Sequence, residues 1–316
     1  MMHKLAIILP CYNEQEVLPI TIKILTDYLK TLINRDIISN DSFICFVDDG
    51  SKDDTWNIIE KHREQSGGGW LKGIKLSSNC GHQNALLAGL FSNINKADIY
   101  ISMDADLQDD MSAIERMIYS YSNGSEIVYG VRKSREVDTL FKRKTAELFY
   151  DIQLKLGINI VKNHADFRLI SNNVLKHLRE FSEVNLYLRA MFPIIGFKSD
   201  IVYYSRKERL AGISKYPLKK MISFAWDGIT SFSVFPLKLI TIIGSFIFCI
   251  SIAMVLYILY LKLFTVQTIP GWASITMPIY FIGGIQLLSI GIIGEYLGKV
   301  YKETKKRPRF IIEKEI

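Results

Sequence analysis

The chain has 316 residues, more than one average domain, and its composition changes along its length. Its 39 lysine and arginine residues exceed its 32 aspartate and glutamate residues, but the excess gathers beside apolar stretches and forms no basic helix face. We therefore expect a lipid bilayer as partner and no nucleic acid, with an ordinary solvated basic surface as the alternative. The four cysteines lack C-x-x-C or metal-type spacing, which argues against a disulfide framework or zinc site and favours a reducing cytosol.

Short aliphatic runs alternate with segments of helical periodicity through the first half of the chain. Strands are predicted at 5–9, 43–47, 71–76, 99–103 and 127–130, and helices at 17–32, 55–63, 83–91 and 112–121. This order predicts an α/β fold in which helices cover both faces of a mostly parallel sheet. Ligands of such folds bind at the carboxyl ends of the strands. Polar clusters follow four of the predicted strands, at 10–14, 48–54, 79–83 and 104–110.

The glycine pattern argues against a dinucleotide-binding fold. The turn after the first strand reads LPCYNE and has no glycine that would let the backbone approach a pyrophosphate. Residues 67–69 are three consecutive glycines, but they precede a strand. We interpret them as a flexible connection and not as a phosphate-binding loop.

Two long charge-free stretches dominate the C-terminal part of the chain. The first, 239–261, has 23 uncharged residues, enough at about 1.5 Å per residue to cross a hydrocarbon core of about 30 Å. The second, 263–294, contains Pro270, Gly271 and Pro278, which indicate a turn followed by another helix. We predict two transmembrane helices within 236–298, at about 237–262 and 273–297. A buried helix pair of a soluble protein is the alternative.

Basic residues flank the outer ends of this hairpin, whereas the loop between the helices offers only Lys262. The flanking residues are Lys215, Lys219, Lys220, Lys299, Lys302, Lys305, Lys306, Arg307 and Arg309. The positive-inside rule then places the globular domain, 1–216, and the basic tail, 299–316, in the cytoplasm. The segment 217–235 has apolar residues at helical spacing and is predicted as an interfacial helix, or else as a helix packed on the globular domain.

Acidic residues follow two predicted strands at the expected ligand edge. Asp104 and Asp106 come directly after the fourth strand, and two carboxylates at this spacing can share one divalent cation completed by phosphate oxygens. Such a D-x-D pair alone is a weak signal, because acidic residues also cap helices. Asp48 and Asp49 close the second strand and offer acceptors for ribose hydroxyls or a base edge.

Taken together, these motifs resemble a known family. LPCYNE, VDDGS and DADLQD resemble the inverting family 2 glycosyltransferases, which have a nucleotide-binding GT-A fold. NCGHQNALLAG, ADFRLIS and RLAGISKYP resemble the polyprenyl-phosphate branch, which includes bactoprenol glucosyltransferases and dolichyl-phosphate mannose synthases. The resemblance covers nearly the whole chain. Cys11 and Cys80 depart from the pattern, and we interpret them as packing substitutions.

The resemblance implies a role for each matching residue. Asp104 and Asp106 would hold Mg²⁺ or Mn²⁺ against the donor diphosphate, and Asp166 matches the active-site aspartate. The nucleotide pocket would be lined by Pro10, Tyr12, Glu14, Asp48 and Asp49. The loop that contacts the acceptor phosphate is matched by Arg209, Ser214 and Lys215. The remaining pocket residues would be His82, Gln83, Gln108 and Arg168.

The resemblance implies inverting, metal-dependent transfer of one sugar onto undecaprenyl phosphate at the bacterial inner membrane, for O-antigen modification, by a homo-oligomer. UDP-glucose is the expected donor, with UDP-N-acetylhexosamine, UDP-galactose and GDP-mannose as alternatives. A phosphate monoester with a second pKa of about 6 is largely ionised at neutral pH. We therefore expect the main role of Asp166 to be positioning of the acceptor or support of the cation, and its role as a base to be secondary. A processive polysaccharide synthase would carry a Q-x-x-R-W segment, which this sequence lacks. A non-catalytic membrane scaffold or lipid-carrier subunit is the alternative from another class.

Overall fold

The computed structural model describes residues 2–67, 69–133, 160–161, 164–184, 186–205, 230, 235–264 and 272–316. The chain divides into two compact units, Met1–Met221 together with Arg307–Ile316, and Ile222–Lys306. The first unit contains a sheet with its covering helices, and the second contains the two longest helices.

Strands and helices alternate through the first unit, as the sequence predicts. The strands are β1 Leu5–Cys11, β2 Phe43–Asp48, β3 Leu71–Leu76, β4 Ile99–Ser102, β5 Ile127–Arg132, β6 His164–Ser171, β7 Ser199–Tyr204 and β8 Ile312–Glu315. The helices are α1 Leu18–Asn34, α2 Thr55–Gln65, α3 His82–Ser92, α4 Ser112–Ser122, α5 Asn172–Glu180 and α6 Leu188–Ile195. The five predicted strands and four predicted helices are all present, with small shifts at their ends.

The eight strands form one sheet in the order β7-β5-β6-β4-β1-β2-β3-β8. β1 pairs in parallel with β2 and β4, so that Ile7 lies opposite Ile44 and Ile101. β6 lies between β4 and β5 and is antiparallel to both, and β8 is antiparallel to β3. The sheet is therefore mixed, which corrects the prediction of a mostly parallel one. The inserted strand β6 brings its own side chains next to the carboxyl end of β4.

Both faces of the central strands are buried, which explains their uninterrupted apolar sequences. Leu5, Ile7 and Leu9 of β1 belong to a core cluster that includes apolar residues of α1, α2 and α4. α3 packs against β1 and β2 from the other face. A Cβ added at Gly89 of α3 would lie 2.5 Å from Ile8 Cγ2, so this helix approaches the sheet as closely as only glycine allows.

Helices form over both charge-free stretches of the second unit. They are α7, Phe235–Phe264, and α8, Trp272–Thr304. Among the described residues, one helical segment, Phe281–Thr304 of α8, is long and apolar enough to cross a membrane. The Phe235–Ile247 part of α7 is a shorter apolar segment. Most of the predicted interfacial helix, 217–235, lies outside the described residues.

The end of the chain returns to the first unit. β8 pairs with the edge strand β3, and backbone hydrogen bonds run in both directions between Gly73 and Ile316. Lys75 Nζ lies 2.8 Å from Glu313 Oε1. The segment 299–316, predicted as a basic tail, therefore ends in a strand that covers an otherwise open sheet edge.

Candidate active site

The loops that follow β1 and β2 interlock through backbone-to-side-chain hydrogen bonds. Asn13, with φ of 53°, donates its N–H to Ser51 Oγ at 2.9 Å and accepts from the Lys52 N–H at 2.9 Å. The Glu14 N–H donates to Thr55 Oγ1 at 2.9 Å. These contacts fix the relative position of the two loops that carry the predicted nucleotide-binding residues.

The predicted nucleotide-binding residues all lie at this edge of the sheet. They are Pro10 and Asp48 in β1 and β2, Asp49 just after β2, and Tyr12 and Glu14 in the loop after β1. Asp48 is buried, and its Oδ1 accepts the Ser51 N–H at 3.1 Å. Its Oδ2 is buried and has no hydrogen-bond partner within the described part of the chain. This oxygen can accept a hydrogen bond from a ligand, whereas the partly exposed ring of Tyr12 offers an apolar contact.

Asp49 joins the second loop to the start of α3. Its Oδ1 accepts the Cys80 N–H at 2.7 Å, and its Oδ2 accepts the Gly81 N–H at 3.0 Å. Burial raises the pKa of Asp49, although these two backbone donors act in the opposite direction. Asp49 thereby positions His82 and Gln83, the first residues of α3, beside the loop that follows β4.

Position 50, between Asp49 and Ser51, requires glycine because of its backbone conformation and because there is no space for a side chain. Its φ is +63°, and an added Cβ would lie 2.5 Å from the backbone carbonyl carbon of Ser78. We expect Gly50→Ala to lower the free energy of unfolding by about 1–3 kcal/mol, because the strained loop shifts away from Ser78. We also expect it to weaken binding of UDP, the nucleotide that the resemblance implies. Thermal unfolding and UDP titration measure the two effects. Gly67→Ala is the matched control, since Gly67 has φ of +70° with open space around it; equal behaviour of the two variants would contradict the role of close packing.

The D-x-D loop after β4 is held from two sides. Thr21 Oγ1 of α1 donates to the Ala105 carbonyl at 2.7 Å, and the Gln108 N–H donates to Asp106 Oδ1 at 3.2 Å. Leu107 has φ of 52°, a conformation that turns the chain sharply. The side chain of Asp104 is 39% exposed, so its carboxylate is accessible to a ligand.

The fold brings three of the predicted site residues together. Ser102 Oγ at the end of β4 donates to the Asp166 carbonyl at 2.6 Å, which places Asp166 beside the D-x-D loop. His82 Nε2 lies 3.6 Å from Asp104 Oδ1 and 3.9 Å from Asp166 Oδ2. The imidazole therefore stands between the two carboxylates.

Asp166 is paired with two arginines. Arg168 Nη2 lies 2.5 Å from its Oδ1, and Arg189 Nη2 lies 3.3 Å from its Oδ2. Burial would raise the pKa of Asp166, but the charges of Arg189 and Arg168 outweigh burial and hold the pKa well below its ordinary value. Asp166 therefore favours its ionised form.

A further buried acid, Asp109, follows the D-x-D pair by three positions. Asp109 Oδ1 accepts a 2.5 Å hydrogen bond from Tyr204 Oη of β7, and Tyr204 Oη in turn accepts from Arg132 Nε at 3.4 Å. Burial raises the pKa of Asp109 to about 7, and the nearby charge of Asp104 adds to this increase. None of these three residues was predicted as a site residue, although Asp109 lies in the DADLQD motif.

Comparison with known proteins decides the family. Residues 6–179, more than half of the chain, match the family described as Glycosyl transferase family 2. The chain belongs to glycosyl transferase family 2. The predicted enzyme class and the α/β fold of GT-A type are confirmed at this level, with the mixed sheet described above.

Relatives match this glycosyltransferase along nearly its whole length. It is 50% identical over 311 residues to the uncharacterized glycosyltransferase YkoT of Bacillus subtilis (strain 168), covering 98% of this chain and 91% of the relative. It is 36% identical over 311 residues to the bactoprenol glucosyl transferase of Shigella phage SfX, covering 98% and 99%. The solved mannosyltransferase PcManGT of Pyrobaculum calidifontis, in complex with GDP-Man and Mn²⁺, matches at 12% identity with a TM-score of 0.46, covering 98% and 89%. The sequence relatives confirm the predicted resemblance to bactoprenol glucosyltransferase.

The two residues predicted to hold a divalent cation, Asp104 and Asp106, offer only oxygen ligands. Among the described residues, no three His, Cys, Asp or Glu side chains converge as a metal site. Asp104 and Asp106 fit Mg²⁺ or Mn²⁺ because such an ion takes its remaining ligands from phosphate groups and water. The predicted acceptor-phosphate residues, Arg209, Ser214 and Lys215, lie outside the described residues.

The pKa of Asp109 gives the glycosyltransferase a pH-dependent stability. Because the folded pKa, about 7, exceeds the value of about 3.9 for an unfolded aspartate, the contribution of Asp109 is favourable at acid pH and is lost as pH rises through 7. Asp109→Asn keeps an acceptor for Tyr204 and removes this loss. We expect the stability of the variant relative to wild type to grow between pH 5 and 7 by at most about 1.4 kcal/mol per pH unit. Unfolding in EDTA at several pH values measures it; a constant difference between the two proteins would contradict the prediction.

Proposed function

We propose that this glycosyltransferase moves one sugar from a nucleotide-sugar donor to the phosphate of a polyprenyl phosphate, with inversion at the anomeric carbon. The observation that carries the proposal is the convergence of Asp104, His82 and Asp166 at the carboxyl end of β4. The bactoprenol glucosyl transferases that match 98% of this chain support a polyprenyl phosphate as acceptor and glucose as the sugar.

The chemistry needs positioning more than proton removal. A polyprenyl phosphate is already largely ionised at neutral pH, so its oxygen can attack the anomeric carbon directly. Attack from the side opposite the leaving diphosphate gives inversion in a single displacement. Asp166 is poorly suited to be a base, because two arginines keep its pKa well below its ordinary value. Its role in this proposal is to hold charged groups in place around the reacting atoms.

The donor would bind along the edge formed by the first two loops and the D-x-D loop. Asp104 and Asp106 would hold Mg²⁺ or Mn²⁺ on the donor diphosphate, and the cation, when bound, neutralises charge on the leaving nucleotide. Asp48 would accept a hydrogen bond from the nucleoside through its Oδ2, which has no partner among the described residues. Tyr12, 39% exposed, would pack against the base.

We infer membrane attachment from the composition of the second unit and from the path of the chain. Phe281–Thr304 has the length and composition of a membrane span. The chain leaves the first unit, forms α7 and α8, and returns to pair β8 with β3. A chain whose two ends belong to one folded unit crosses a bilayer an even number of times. This supports our proposal of a two-helix hairpin with the catalytic unit and both termini on one side, and the flanking basic residues favour the cytoplasmic side.

A transfer assay tests the proposed function. Purified protein in detergent is incubated with undecaprenyl phosphate and, separately, UDP-glucose, UDP-N-acetylglucosamine, UDP-galactose or GDP-mannose. The lipid products are identified by mass, and their anomeric configuration by NMR. We expect one preferred donor, most product with UDP-glucose, a β-linked sugar, and loss of product in EDTA with recovery on adding Mg²⁺ or Mn²⁺. Absence of lipid-linked sugar with every donor would overturn the proposal and favour a non-catalytic scaffold.

A further inference from the structure

The D-x-D loop contains a residue in an unfavourable backbone conformation. Leu107, which follows Asp106, has φ of 52°, a conformation that a bulky side chain rarely adopts. Leu107 is also buried and belongs to the core cluster. Such a conformation persists only where the surrounding structure holds the chain in place. The contacts that hold this loop therefore help to set the positions of the two candidate cation ligands, Asp104 and Asp106.

One such contact lies on each side of Leu107. Before it, Thr21 Oγ1 of α1 donates to the Ala105 carbonyl at 2.7 Å. After it, Asp109 Oδ1 accepts a 2.5 Å hydrogen bond from Tyr204 Oη. Asp109 and Tyr204 are both buried, so water competes little for this bond. The second contact joins the D-x-D loop to β7, a strand at the edge of the sheet.

Tyr204 is itself held by neighbouring strands. Its ring packs edge-to-face against Phe167, with 5.3 Å between the ring centres. Phe167 follows Asp166 in β6 and is fully buried. The carbonyl of Tyr204 accepts the Lys133 N–H at 2.8 Å. The hydroxyl of Tyr204 therefore approaches the D-x-D loop from a position that β6 and the end of β5 fix.

We propose that Tyr204 is a positioning residue of the donor site, which holds Asp104 and Asp106 in place for a divalent cation through its hydrogen bond to Asp109. The inference rests on the proposed function, which assigns a cation to these two carboxylates. A small cation such as Mg²⁺ takes its ligands in a narrow range of distances around about 2.1 Å, so a small shift of the loop weakens its binding. Tyr204 and Asp109 act through the loop and do not contact the cation.

The test measures Mn²⁺ binding directly in the full chain. Protein in detergent with saturating UDP is titrated with Mn²⁺, and free Mn²⁺ is measured by electron paramagnetic resonance. Tyr204→Phe removes only the hydroxyl, and Tyr100→Phe is the matched control. Tyr100 is fully buried in β4, and its hydroxyl donates to the carbonyls of Asn93 at 2.6 Å and Ala97 at 3.1 Å, which precede that strand. Both variants lose one buried hydrogen-bonding hydroxyl, so both should lose stability.

We expect Tyr204→Phe to weaken Mn²⁺ binding by about fivefold to fiftyfold, and Tyr100→Phe to stay within about twofold of wild type. In the transfer assay, the Mn²⁺ concentration that gives half the maximal rate should rise by a similar factor in Tyr204→Phe. Its kcat at saturating Mn²⁺ should stay close to wild type, because bound metal restores the arrangement of the carboxylates. A general loss of stability would affect the two variants alike.

A double-mutant cycle shows whether Tyr204 acts through Asp109. The hydroxyl of Tyr204 also accepts from Arg132 Nε at 3.4 Å, so its removal has a second local effect. In an Asp109→Ala background the bond to Asp109 is already absent, and Tyr204→Phe should then change Mn²⁺ affinity by less than about twofold.

Three results would overturn the proposal. The first is Mn²⁺ affinity of Tyr204→Phe within about twofold of wild type, and the second is an equal loss of affinity in Tyr100→Phe. The third is an equal effect of Tyr204→Phe with and without Asp109→Ala. Should Tyr204→Phe not fold, Asp109→Ala replaces it, and Mn²⁺ affinity within about twofold of wild type overturns the proposal.

Failure of this inference differs from failure of the proposed function. If wild-type protein binds Mn²⁺ with UDP but transfers no sugar to lipid, the proposed function fails while the Mn²⁺ titration still tests Tyr204. If wild-type protein transfers sugar and Tyr204→Phe keeps its Mn²⁺ affinity, only the inference about Tyr204 fails.

Discussion

Replacing both Asp104 and Asp106 by asparagine should reduce sugar transfer at least about 10³-fold. The two carboxylates are the candidate ligands of the cation on the donor diphosphate, and loss of such an ion removes several kcal/mol of transition-state stabilisation. At about 1.4 kcal/mol for each factor of ten, this corresponds to three or more orders of magnitude. Initial rates with saturating donor and acceptor measure the effect, and a titration with Mn²⁺ shows whether excess metal restores activity.

The control for this double variant is Asp110→Asn in the same loop. Asp110 accepts from the Ser112 N–H at 3.1 Å at the start of α4, and an asparagine keeps an acceptor oxygen there. The control should retain near wild-type transfer. Transfer by the double variant above about one tenth of the wild-type rate would contradict a catalytic role for the D-x-D pair, because the lost stabilisation would then be under about 1.4 kcal/mol.

The spacing of apolar residues predicted the helices and strands in the first half of the chain, because each of them has a single, regular apolar pattern. β1, β2 and β4 are apolar on both faces, and the helices between them carry apolar residues at spacings of three and four. β6 was missed because its polar residues His164, Asp166 and Arg168 alternate with Phe167 and Leu169. Such polar residues suggest a solvated face, yet Arg168 is buried because Asp166 supplies its counter-charge from the same strand.

The candidate site also contains residues that the sequence predicted and residues that it did not. Asp104, His82 and Asp166 lie in local motifs, and the sequence predicted them as site residues; the structure adds that they lie close together. Arg189 belongs to no motif, and its contact with Asp166 spans 23 positions along the chain. Tyr204 meets Asp109 across 95 positions, on a strand that was not predicted. Single residues that reach a site through long-range packing leave no local pattern, so only the fold identifies them.

Asp166 pairs with one buried and one partly exposed arginine. Arg168 is 1% exposed and Asp166 is 21% exposed, so the pair is shielded from most of the solvent. Keeping a buried arginine charged requires a counter-charge with good geometry. The carboxylate that stabilises Arg168 through one oxygen presents its other oxygen to Arg189. Under the proposed function, we therefore expect a change at Asp166 to affect folding and catalysis together, and the two effects need separate measurements.

Asp166→Asn should destabilise the fold by about 3–5 kcal/mol, because it leaves the buried guanidinium of Arg168 without a counter-charge. Asparagine has nearly the shape of aspartate, so the loss of stability measures the effect of removing the negative charge. The double variant Asp166→Asn/Arg168→Met removes both charges and should recover much of this stability, since an apolar side chain of similar length can pack against Phe192. Denaturant unfolding of the two variants in detergent measures the difference.

Sugar transfer should respond differently from stability in this pair of variants. Both lack the carboxylate that holds Arg189, so both should transfer sugar at least about tenfold more slowly than wild type, as expected when a charge-assisted contact in the reaction centre is lost. Recovery of stability without recovery of transfer would separate the two roles of Asp166. Recovery of both in the double variant would mean that Asp166 acts only by neutralising Arg168, and its assignment to the reaction centre would then be wrong.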